Sequence, residues 1–149
     1  MTIRCLIHMG MLGICSVEDW KEKQISLWKI WLYAIVVIIY ESWCFLGEHR
    51  EISEWLIWSA TGLLPGIGML IMGTLSQEAI GYGDGYLTLI LGFSMGFWKT
   101  LGILGTALFG VFGVAIYLVV IRKRSRNSQI AFVPFLFLGM VGTVLWNIR

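Results

Sequence analysis

Long apolar stretches alternate with short polar ones along this chain, and the alternation predicts helices of membrane-crossing length. A span across the hydrocarbon takes roughly 20 mostly apolar residues. Residues 3–17 form the first and shortest candidate, carrying His8 and two glycines, and the polar segment 18–26 follows. Residues 27–47 and 55–75 are clear spans on either side of the charged turn 48–54, and Pro65 predicts a kink in the second of them. The apolar run from 86 to 121 is too long for one crossing. Splitting it at "FWKT" gives spans 86–97 and 100–121, with Gly102, Gly105, Gly110 and Gly113 suited to close helix packing. A basic loop, 122–129, precedes the last span, 130–146, which has Pro134 in its first turns. The expected architecture is all-α: a polytopic transmembrane helical bundle of about six spans, forming a single domain over 1–149.

Composition agrees with a bilayer as solvent. Hydrophobic residues make up 58% and charged residues 13%, against roughly 25% charge in soluble domains, and mean hydropathy is +0.80. Trp28, Trp43, Trp55, Trp98 and Trp146 fall near span ends, where interfacial belts put them. The one basic cluster has no aromatic interleaving, which speaks against nucleic acid as a partner. Cys5, Cys15 and Cys44 form no CxxC pair and have no histidine at ligand spacing, so no metal or redox centre is expected. The early Arg4 and apolar run resemble a signal peptide, but no A-x-A site follows, and the segment is expected to be a retained span.

Lysine and arginine orient the bundle. With Arg122, Lys123, Arg124 and Arg126 on the cytoplasmic side of a plasma membrane, alternation puts Lys21 and Lys23 there too, and the acidic turn 48–54 outside. Glu41, Lys29 and Lys99 lie near span ends and read as snorkelling side chains. Glu78 reads as a loop charge, and His8 as a histidine packed or hydrogen-bonded within the bundle.

Asp19 and Asp84 remain. Both fall at the expected cytoplasmic ends of their spans, one and four. If those ends pack together, the two carboxylates face each other at one membrane depth, and like charges a few Å apart cannot both ionise easily, so the pair would share a proton. The ionised acid can take a proton from water while the neutral one polarises a carbonyl. This is aspartic-protease chemistry, with no metal or cofactor. Gly81, Gly83 and Gly85 weaken helix around Asp84 and are expected to let an extended peptide approach. The other reading of "GYGDG" is a turn with Asp84 as N-cap of the next helix.

The "GYGDGYL" stretch resembles the G-x-G-D motif of intramembrane aspartic peptidases, the class of type IV prepilin peptidases and presenilin. "SVEDWKEKQIS" is similar to the prepilin peptidase segment in which an isoleucine follows the first catalytic aspartate by six residues, here Asp19 and Ile25. "RKRSRNSQIAFVPFLFLG" resembles the later I-P-F-G-P-F-L-x-x-G segment through Ile130, Phe132, Pro134, Phe135, Leu136 and Gly139. Ser26 and Ala131 stand where the family has proline, and Gly85 and Tyr86 occupy the region of a usual lysine.

The resemblance implies a small, peptidase-only enzyme without the N-terminal methyltransferase segment. Its partners would be the lipid bilayer and a prepilin-like or pseudopilin-like protein, cut after a glycine ahead of the substrate's hydrophobic helix. Asp19 and Asp84 would be catalytic. Gly81, Gly83 and Gly85 would shape the backbone, and Pro134 would fix the start of the last span near the site. The alternative is a non-catalytic membrane component serving assembly or transport, or a peptidase relative without activity.

Overall fold

The computed structural model describes residues 2–22, 25–48, 51–75, 81–120 and 131–148. Six helices account for nearly all of them: α1 (Thr2–Glu22), α2 (Leu27–Glu48), α3 (Ile52–Leu75), α4 (Tyr82–Met95), α5 (Phe97–Val120) and α6 (Val133–Ile148). No strand is present among the described residues. Three helices are long and apolar enough to cross a membrane, over Leu27–Gly47, Ile52–Leu75 and Phe97–Tyr117. The α-helical bundle expected from the hydropathy pattern is the fold.

Two boundaries differ from the sequence reading. The polar segment after the first span is helical as far as Glu22, so Asp19 stands on α1 rather than in a loop. The long apolar run breaks at Gly96, before "FWKT". Gly96 has φ 77°, a left-handed conformation that glycine adopts without a Cβ penalty, and its N–H closes α4 on the Gly92 carbonyl. The Trp58 ring occupies the space a Cβ would need there. Helix α3 runs through Pro65, which is buried. Glu78, Lys23 and the basic loop 122–129 lie outside the described residues, as does the orientation that rested on the loop.

The helices associate as α1 on α6, α6 on α5, and α5 on the tightly packed α3–α4 pair, with α2 against α4. Helices α1 and α2 close the ring with sparse backbone contact. Each buries one stripe at helical spacing: His8, Leu12, Cys15 and Asp19 on α1, and Ile30, Tyr33, Val37 and Glu41 on α2. Much of the opposite surface is apolar and exposed, including Trp28, Trp43 and Trp98, as a lipid-facing surface requires.

Glycine sets the closest crossings, at other positions than expected. At Gly102, Gly105 and Gly113 an added Cβ would meet open space, and of that set only Gly110 is packed, against Phe135. The intimate contact is between Gly62 on α3 and Gly92 on α4, where a Cβ on either would overlap the other's carbonyl oxygen. Small residues let helix backbones approach this way where no hydrophobic effect drives association.

Candidate active site

One end of the bundle gathers the C-terminal turn of α1, the start of α4 and the start of α6. Asp19 is buried, and its Oδ2 accepts the Val133 backbone N–H at 3.0 Å. Val133 is the first residue of α6, whose opening turn closes with the Phe135 and Leu136 N–H groups on the Phe132 carbonyl. The first N–H groups of a helix have no intrahelical acceptor. Pro134 has no N–H to satisfy, and Asp19 supplies a charged acceptor for Val133. Proline and carboxylate together define where α6 begins, and they attach α6 to α1.

Asp84 lies in the first turn of α4, a favourable place for a negative charge beside the helix N-terminus. The N-cap is Gly81, in extended conformation with φ −64° and ψ 129°, and no side chain caps the helix. Asp84 is therefore not the N-cap. Of the three glycines only Gly81 lies outside the helix. Gly83 and Gly85 are helical, and they admit neighbours. A Cβ on Gly83 would come 3.1 Å from Ile25 Cδ1, and one on Gly85 would come 2.5 Å from Leu70 Cδ2. At Gly81 it would come 3.3 Å from Asp84 Oδ2. The Ile25–Gly83 contact lays residue 25, six positions after Asp19, on the first turn of α4.

Both aspartates stand beyond the apolar stretches of their helices. Burial pushes the Asp84 carboxyl up to about 7, and the charge of Asp19 adds to the rise. Burial also raises Asp19, while the backbone N–H groups of Val133 and Phe132 hold it back. Burial acts on both acids, but backbone N–H donors offset it only at Asp19, so Asp84 is the acid that holds its proton more readily.

A stability consequence follows. The folded chain keeps the Asp84 proton to about pH 7, whereas an unfolded aspartate releases it near 3.8. The folded state binds the extra proton between those values, so stability falls as pH rises from about 4 to about 7 and stays lower above. Unfolding temperatures measured in detergent across that window are expected to decline, and Asp84→Asn to flatten the decline. An equally steep slope in Asp84→Asn would remove Asp84 as its source.

The other end of the bundle holds a group the sequence did not reveal. Glu41 does not snorkel. It is buried at 5% exposure, with Arg4 Nε 3.0 Å from its Oε1 and Arg4 Nη2 donating to its Oε2 at 3.0 Å. Ser94 Oγ of α4 donates to Oε1 at 2.5 Å. Lys29, also read as snorkelling, pairs with Glu18 at 2.8 Å. His8 is buried and hydrogen-bonded to the Tyr33 hydroxyl, as expected. Arg4 and Glu41 at matching ends of an antiparallel helix pair were the available signal. Nothing in the sequence pointed to Ser94.

Among the described residues no group of three or more His, Cys, Asp or Glu side chains is placed to hold a metal ion. The three cysteines are free. No family model, curated protein or solved structure matches the chain.

Proposed function

We propose that this chain is an intramembrane aspartic endopeptidase that removes the leader of prepilin-like proteins at the cytoplasmic face of the plasma membrane. The observation that carries the proposal is that Asp19 and Asp84 stand at the same end of the bundle, near enough for the Asp19 charge to add to the burial that raises Asp84 to about 7. Its sequence support is the resemblance of the segments around Asp19, Asp84 and Pro134 to prepilin peptidases.

Ionised Asp19 takes a proton from a water molecule, whose oxygen attacks the scissile carbonyl. Protonated Asp84 gives its proton to the carbonyl oxygen. Collapse of the tetrahedral species breaks the C–N bond: the amine leaves with the proton held by Asp19, and one hydroxyl of the species returns its proton to Asp84 as the new carboxyl group forms. Neither metal nor cofactor takes part in these steps. The substrate's hydrophobic helix remains in the bilayer, which suits an enzyme built almost wholly of apolar helices.

The test is co-expression with a prepilin-like substrate, reading leader removal by the shift in substrate mass. Wild type is expected to process it, and Asp19→Asn and Asp84→Asn to leave it intact. Full processing by either variant would overturn the mechanism and favour a non-catalytic membrane role.

A further inference from the structure

Asp19 and Asp84 belong to helices that barely touch each other. Helix α1 packs chiefly on α6, α4 chiefly on α3, and the α1–α2 contact is sparse. Besides the packing through α6 and α5, one side-chain cluster ties α1 to α4. At the end away from the aspartates, Glu41 of α2 receives both Arg4 of α1 and Ser94 of α4, so three helices meet on one carboxylate.

The geometry of that carboxylate is specific. Arg4 engages both oxygens, each at 3.0 Å, which is the planar fork arrangement that fixes direction as well as distance. Ser94 is itself buried, at 1% exposure. A buried ion pair is a poor source of net stability, because desolvation consumes much of the attraction, and its best-attested use is to fix register. Arg4 and Asp19 are separated by about 22 Å along α1 at 1.5 Å per residue. Over that length a tilt of about 3° displaces Asp19 by about 1 Å.

We infer that the Arg4–Glu41–Ser94 cluster is a remote positioning device that sets the approach of Asp19 to Asp84. Arg4, Glu41 and Ser94 are positioning residues, acting through the helices that carry the acids. The inference takes the paired aspartates as its premise, and its first readout does not depend on peptidase activity.

The deciding variant is Ser94→Ala, which removes one oxygen, cuts only the α4 arm and leaves the Arg4–Glu41 pair neutralised. Its matched control is Ser59→Ala, because Ser59 is a buried serine of α3 whose hydroxyl has no hydrogen-bond partner. Spin labels at Trp20→Cys and Tyr82→Cys, both exposed and adjoining the two aspartates, report the separation of the site ends. The background carries Cys5→Ala, Cys15→Ala and Cys44→Ala. Ser94→Ala is expected to broaden the distance distribution relative to Ser59→Ala, measured well below the unfolding temperature of each variant. Cleavage is expected to lose about 10-fold in kcat at unchanged KM, since about 1 Å of misplacement can cost as much or more. A distribution in Ser94→Ala as narrow as the control's overturns the inference. If the unaltered chain cleaves no prepilin-like substrate, the peptidase reading falls and the distance comparison alone decides this one.

Discussion

Asp84→Asn is expected to reduce leader cleavage by on the order of 100- to 10,000-fold, the usual contribution of a positioned general acid. Asparagine keeps the size of the side chain and its place in the first turn of α4, but has no proton of suitable acidity to give. The same substitution is expected to raise the unfolding temperature at pH 8. There the wild-type chain carries a half-buried carboxylate whose charge is disfavoured by a few kcal/mol, on the order implied by the rise of Asp84 to about 7. Lost activity with gained stability separates a catalytic group from a structural one, whose removal lowers both.

Asp19→Asn tests the partner by a different route. Its Oδ1 still accepts the Val133 N–H, so the start of α6 is kept while the charge is lost. Cleavage is expected to fall by a similar factor. The Asp84 carboxyl, relieved of the neighbouring charge, is expected to titrate below its wild-type position, as followed by carbon-13 NMR of labelled aspartate. Asp19→Ala is a poorer test, because it also removes the acceptor for α6, worth about 0.5–2 kcal/mol in comparable caps.

The second large effect lies at the α3–α4 crossing. Gly92→Ala and Gly62→Ala are each expected to destabilise the bundle by about 3 kcal/mol or more, the top of the ordinary overpacking range. The obstruction is a carbonyl oxygen of the facing backbone, which no rotamer change can move. Gly68→Ala, in the same helix as Gly62 but with nothing within 4 Å of the added Cβ, is expected to be neutral or to gain up to about 1 kcal/mol from helix propensity. Unfolding in mixed micelles at increasing denaturing detergent measures all three. Equal behaviour of Gly62→Ala and Gly68→Ala would mean that the crossing is looser than described. Because α4 carries Asp84, loss of this crossing is also expected to remove the proposed cleavage.

The sequence alone determined the helical class, the six helices found among the described residues and the placing of Asp19 and Asp84 at a shared end of the bundle. Those features rest on hydropathy averaged over about 20 residues and on strict up-and-down alternation, both local properties of the chain. Helix ends were less legible. The break fell at Gly96 because a positive φ closes α4 there, while Lys99 in "FWKT" is accommodated within α5.

Only the tertiary structure decided which small and polar residues meet. Gly62, Gly92 and Gly102 look alike in sequence, and the first two differ from the third only because another backbone lies across them. Glu41 near a span end resembles any snorkelling acid until Arg4 and Ser94 are seen to enclose it. The task of Asp19 in holding the first N–H of α6 comes from a residue far along the chain. Hydrophobicity is additive and can be read one residue at a time. A hydrogen bond or a backbone crossing requires two partners, and their meeting is fixed by the packing of whole helices.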